Sequence, residues 1–178
     1  MKGIVFTEFL EMVEKEFGLE VLDVIVDEDR LPSKGIYTAV GTYSFDEMLI
    51  LIGNLSEQTG LPTNDLLHAF GRYFFEVILN NYAYILKEYD TPIDFLSSID
   101  SHIHVQVRKI YPEAELPRFE TLEHSNSKLK LRYTSSRGMA YFALGLMERT
   151  FEHFEEDYKL AMLPSSEALT NVLFDISI

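Results

Sequence analysis

Cysteine is absent from this 178-residue chain. Its absence removes disulfide frameworks, thiolate nucleophiles and cysteine-held zinc or iron–sulfur centres together, so a protein-held metal must rely on His, Asp, Glu or Tyr. Basic residues are scarce: 15 Lys and Arg stand against 29 Asp and Glu, a formal net charge of −14. Such a surface repels a phosphate backbone, and no nucleic-acid partner is expected. No apolar run approaches the ~18 residues that suggest a membrane span. Met1-Lys2-Gly3 leads directly into an amphipathic pattern, without the apolar block and small-residue cleavage site of a secretory leader. A cytoplasmic protein with no membrane partner is the expectation. Internal repeats, low-complexity tracts and Gly/Ser linkers are missing too, as are Gly-x-Ser-x-Gly, His-Glu-x-x-His and phosphate-loop motifs. The abundant carboxylates fall mostly on predicted polar faces, so a hydrolytic enzyme is poorly supported and no catalysis is expected. With 47% apolar residues and a mean hydropathy near zero, residues 1–178 are read as one domain able to bury a substantial core.

Periodicity changes character near residue 115. Residues 2–17 carry apolar side chains at helical steps and stop at Gly18, and 19–28 give a shorter helical pattern. Ser44-Phe45-Asp46-Glu47 reads as a capping box opening a helix that Gly60 closes, and Leu61-Pro62-Thr63 starts another. Thr91-Pro92 begins a single helix over 92–110 that ends before Pro112. From Phe119 the period approaches two, with Ser125-Asn126-Ser127 as a turn between strands. A helix over 139–154 and two strand candidates, about 157–163 and 169–177, complete an α+β pattern. An antiparallel sheet covered on one side by helices would leave room for a ligand between the two.

Two groups of residues stand out. His104 falls at the edge of the stripe Leu96, Ile99, Ile103, Val107 and Ile110, while His102 points away from it. A metal ligand beside an apolar face has this placement, and so does an ordinary boundary histidine. Along 128–133 the alternation sends Leu129, Leu131 and Tyr133 inward, and its continuation adds Ser135 and Arg137. An inward guanidinium requires an anion in its fork, with the two hydroxyls as further donors. The other reading is a strand ending at Tyr133 with Ser135 and Arg137 in an exposed turn. Taken together, His104 and the triplet describe a socket for a metal-bearing cofactor that carries carboxylates.

Over its whole length the chain resembles the heme nitric oxide/oxygen binding (H-NOX) domains. The resemblance rests on Met1-Lys2-Gly3, Ala69-Phe70-Gly71, His104 followed by Tyr111-Pro112 and Pro117-x-Phe119, and above all Tyr133-x-Ser135-x-Arg137. It implies the H-NOX fold: a helical N-terminal subdomain (1–62) packed against heme-binding helices plus an antiparallel sheet (63–178), with the cofactor between. His104 is then the axial ligand of a b-type heme, Tyr133, Ser135 and Arg137 bind its propionates, and Pro117 presses on the porphyrin. Asp100, one turn before His104, is a candidate partner for its second ring nitrogen. The cysteine–histidine zinc site of some relatives is excluded here.

Ungapped alignment with the family puts Phe142 where O₂-binding members place a tyrosine, with Val5, Phe9, Phe74 and Leu146 at other distal positions. An apolar pocket binds NO and CO and discriminates against O₂, which needs a hydrogen-bond donor. The resemblance further implies that NO breaks the iron bond to His104, relaxes strain against Pro117 and shifts the helix. The output would pass to a histidine kinase or a cyclic-di-GMP enzyme, with Glu152, Glu155, Glu156 and Asp157 as a candidate contact face. Two alternatives remain open: an O₂ sensor using the hydroxyl of Tyr141, and a heme-free module binding another carboxylate.

Overall fold

Apolar residues at three- and four-residue steps wind residues 3–17 into α1 (Gly3–Phe17). Gly18 follows at φ 89°, a conformation open to glycine, and the chain turns into α2 (Leu19–Ile25). The computed structural model describes residues 1–27 and 29–178, so the last position of the 19–28 pattern lies outside the described residues. In α3 (Phe45–Thr59) Ser44 is the N-cap, its hydroxyl accepting from the Asp46 amide at 3.2 Å. The expected reciprocal capping box does not form. The Glu47 carboxylate, 3% exposed, turns inward instead and accepts from the Ser33 amide, the Ser33 hydroxyl and the Tyr37 hydroxyl at 3.1, 2.9 and 3.0 Å. Three donors at once outweigh a single solvent-exposed cap. Burial and the nearby Glu47 carboxylate push the Tyr37 hydroxyl well above its usual pKa.

The long helix α4 (Thr63–Leu86) is shared by two cores. Leu66 and Phe70 pack with α1 and α3 around Phe6, Phe9, Met48 and Leu51, whereas Phe75, Ile85 and Leu86 join the core beneath the sheet. The hand-over falls where α4 crosses α7 (Ala140–His153). A Cβ on Gly71 would stand 2.1 Å from the Phe142 carbonyl oxygen, and one on Gly145 would stand 2.2 Å from that of His68. Only glycine permits so close a backbone approach. Outside the crossing, His68, Arg72 and Glu76 of α4 pair with Glu148, Arg149 and Glu152 of α7. Glu152, read from sequence as part of a partner-facing acidic surface, is therefore engaged within the fold, while Glu155, Glu156 and Asp157 are exposed.

The single helix expected over 92–110 is interrupted. α5 (Pro92–Ser97) gives way to a π turn at Ile99–Ile103 before α6 (His104–Ile110) resumes. The Ser97 and Ser98 hydroxyls donate to the Asp94 and Phe95 carbonyls at 2.9 and 2.7 Å. Such back-bonding bends helices, and here the Ile103 and His104 amides reach back five residues, to Ser98 and Ile99.

The sheet is antiparallel throughout, in the order β1 (Arg118–Ser125), β2 (Lys128–Thr134), β4 (Asn171–Ser177), β3 (Lys159–Pro164). Its inner face presents Phe119, Leu129, Leu131, Tyr133, Val172, Phe174 and Ile176 to α5 and α7 in the second core. No helix among the described residues is long and apolar enough to cross a membrane.

Candidate functional site

Between the α1, α4 and α7 walls on one side and α6 on the other lies an apolar cavity of about 300 Å³, within the range of small-molecule sites. The extra residue of the π turn resets the phase of the helical stripe. Ile99, Ile103, His104 and Val107 thereby all reach the cavity wall. His104 is 8% exposed. Its Nδ1–H donates to Asp100 Oδ1 at 2.9 Å, which leaves the Nε2 lone pair available. Burial holds its pKa below the ordinary histidine value, and the Asp100 carboxylate opposes that shift without reversing it. A neutral imidazole oriented by a carboxylate is the form in which histidine ligates a metal. Among the described residues no three His, Asp or Glu converge as a metal cluster. One imidazole suits a metal whose other ligands come from a cofactor.

At one end of the cavity lie Tyr133, Ser135 and Arg137. β2 ends at Thr134, so Ser135 and Arg137 belong to a turn, yet they face inward, and both sequence readings were partly right. The turn is fixed by the Ser135 amide donating to the Thr170 carbonyl at 2.9 Å and by the Arg137 amide donating to Ser135 Oγ at 3.2 Å. Tyr133 is 2% exposed, and burial raises its pKa, so its hydroxyl remains a donor. Phe119 packs between this group and the imidazole, 6.0 Å from the His104 ring and 5.4 Å from the Tyr133 ring. Pro117 lies on the wall as well.

The wall opposite His104 includes Val5, Phe74, Phe142 and Leu146. Phe142 packs against Phe70 and Phe74, with ring centroids 5.0 and 5.6 Å away. Phe9, expected at this wall, is not there: it is fully buried in the N-terminal core, edge-on to Phe70 of α4 at 5.2 Å. Tyr141 is also off the wall.

The family model for haem-NO-binding proteins matches residues 2–162. The chain belongs to the H-NOX family. Among solved structures, an Fe(II) unliganded H-NOX protein from K. algicida is 48% identical, covering 99% of this chain and 96% of that one, with a TM-score of 0.96. An H-NOX from Shewanella woodyi, bound to IWP-051 in the Fe(II)CO state, is 40% identical over 99% of this chain and 94% of its own, with a TM-score of 0.83. Soluble guanylate cyclase 89Db of Drosophila melanogaster is 26% identical over 158 residues, 86% of this chain but 23% of that protein. The chain thus spans under a quarter of the length of that curated relative.

H-NOX domains are heme-based gas sensors, and heme is the cofactor of the family. The donor set of this chain fits it: a neutral imidazole on one apolar wall, anion donors at one end and no cysteine for thioether attachment. Sequence reasoning missed Tyr82 and Glu115, which also line the cavity, and named Tyr111 only within the family resemblance, without placing it there. Tyr82 sits at a break in α4 (φ −135°, ψ 27°), and no glycine or proline marks that break in the sequence. Tyr111 follows α6, its hydroxyl pushed up to about 12 by burial and by the neighbouring Tyr82.

Proposed function

We propose that residues 1–178 form one sensor unit, with helical (1–62) and heme-binding (63–178) subdomains, that binds NO and CO at a ferrous b-type heme and discriminates against O₂. In this reading His104 is the protein's ligand to iron, Tyr133, Ser135 and Arg137 hold the propionates, and Pro117 presses on the macrocycle. When bound, ferrous heme supplies an open coordination position for a diatomic gas. The observation that carries the reading is a buried, neutral His104 oriented by Asp100 and facing a wall built from Val5, Phe74, Phe142 and Leu146. These four side chains offer a gas ligand no hydrogen-bond donor, a lack that costs O₂ far more than NO or CO. Tyr141 lies off that wall, which counts against the O₂ alternative. The family description supports NO, and the S. woodyi relative in its Fe(II)CO state supports CO.

The reporting element is α6, which starts at His104 and joins α5 through one π turn. A ligand that binds the two positions of α6 with different free energy shifts their populations, and that shift is the signal. A histidine kinase or a cyclic-di-GMP enzyme is the proposed recipient, with Glu155, Glu156 and Asp157 as a contact face. Visible spectra of the reduced protein alone, in air, under CO and under NO test the reading. A histidine-ligated ferrous spectrum unchanged by air, with separate CO and NO adducts, is expected. A stable O₂ adduct, or an unchanged five-coordinate iron signature in His104→Gly without added imidazole, would refute it.

A further inference from the structure

The Arg137 side chain is 16% exposed, and its two terminal nitrogens are both committed to one residue that the H-NOX signature does not include. Nη1 donates to the backbone carbonyl of Glu115 at 2.7 Å, and Nη2 to its Oε2. The guanidinium also lies 5.9 Å from the centre of the Phe45 ring, at the start of α3. Glu115 belongs to the segment between α6 and β1, two residues before Pro117, and its own side chain is 81% exposed. A guanidinium has five N–H donors. Two are used by Glu115, so three remain for an anion. One of the two contacts is to a backbone carbonyl, which cannot swing aside as a free side chain can.

From this arrangement we infer that Glu115 is a positioning residue for cofactor retention. Its backbone oxygen and carboxylate fix the plane of Arg137, so that the remaining donors are presented to a heme propionate without first being ordered. An arginine released from Glu115 would have several rotatable bonds to fix each time it captured a carboxylate, and preorganisation removes that entropic cost. The same contact ties the anion clamp to the segment that runs from the His104 helix to Pro117. The inference rests on the heme reading of the site.

The test uses the heme-loaded chain and measures the rate of heme transfer to excess apomyoglobin. Glu115→Ala should lose heme roughly twofold to tenfold faster than the parent, in keeping with one charge-assisted contact at a partly screened site. Both variants keep the backbone contact, and Glu115→Gln, which also keeps a side-chain acceptor oxygen, should lie between the two. In an Arg137→Gln background, Glu115→Ala should add nothing, because the residue it positions is gone. A second readout is the heme reduction potential. Loss of the Glu115 negative charge near the cofactor should raise it in both Glu115 variants, an effect that a purely mechanical role would not produce. Slower heme loss in Glu115→Ala would overturn the inference, since the carboxylate would then compete with the propionate. So would an equal acceleration in the Arg137→Gln background, or an unchanged rate. If the parent chain takes up no heme, the functional reading itself fails, an outcome distinct from all of these.

Discussion

The substitution Phe142→Tyr places one hydroxyl on the wall opposite His104 and alters little else. Phe142 is bounded by Phe70 and Phe74 and shares its wall with Val5 and Leu146, none of whose side chains accepts a hydrogen bond from the new group. The hydroxyl would therefore be unsatisfied until a polar ligand arrives. Leaving a buried hydroxyl unpaired costs about 1–3 kcal/mol, a lowering of the melting temperature by roughly 2–9 °C for a chain of this size. Bound O₂ carries partial negative charge, and a hydrogen bond to a charged acceptor contributes about 1.5–3 kcal/mol. At 1.4 kcal/mol per tenfold, O₂ affinity should rise roughly tenfold to 150-fold. CO is a poor acceptor and should change by less than about threefold on the same scale. Measured association and dissociation rates for O₂ and CO on the reduced protein would give both ratios, with the gain for O₂ expected in the dissociation rate. Equal gains for the two gases would mean that the hydroxyl acts by reshaping the cavity, and the donor argument would be wrong. An air-stable O₂ adduct in the unmodified chain that Tyr141→Phe abolishes would also sink it.

Asp100→Asn keeps the shape at His104 but removes the charge that orients its Nδ1–H. The iron–histidine stretching frequency should fall, and retention of the metal cofactor should weaken roughly tenfold to a hundredfold, as for other outer-shell partners of ligating histidines; resonance Raman and heme-transfer rates measure the two. Glu47→Ala would strip the acceptor from the Ser33 amide and the Ser33 and Tyr37 hydroxyls, with an expected loss of about 3 kcal/mol in urea unfolding. A loss under 1 kcal/mol would show that water replaces the carboxylate without cost. Tyr111, with its pKa pushed up to about 12, is held protonated in the folded chain. A raised tyrosine pKa means that the native state binds the proton more tightly than the unfolded state. Its contribution to stability is therefore complete below pH ~10 and is lost as the pH rises towards about 12. Tyr82→Phe should bring the ultraviolet titration of Tyr111 back towards that of free tyrosine.

Helices α1, α3, α4 and α7 and all four strands lie within a few residues of where the hydrophobic period places them, because each buries one continuous face and the period records that face. The inward placement of Tyr133 was legible for a related reason, since a polar tip on the inward side of an alternating strand contradicts the pattern around it, whereas Ser135 and Arg137 reach the cavity from the turn that follows. Glu47 was misread because a Ser-x-x-Glu spacing is the same whether the carboxylate caps its own helix or receives donors from residues 33 and 37. Phe9 was expected at the distal wall because alignment with the family carries over a position but no depth, and here Phe9 packs into the N-terminal core against Phe70 of another helix.

Composition and spacing alone determined that this chain lacks cysteine chemistry, sets His104 at the edge of an apolar stripe and carries Tyr133, Ser135 and Arg137 at alternating positions. Only tertiary structure decided that a π turn brings His104 to the wall, that Asp100 orients it, and that Glu115 takes hold of Arg137. The reason is physical: residue type and period are local properties of the chain. Which atoms share a cavity depends on how helices and sheet pack together, and here a few ångströms separate a wall residue from the layer behind it.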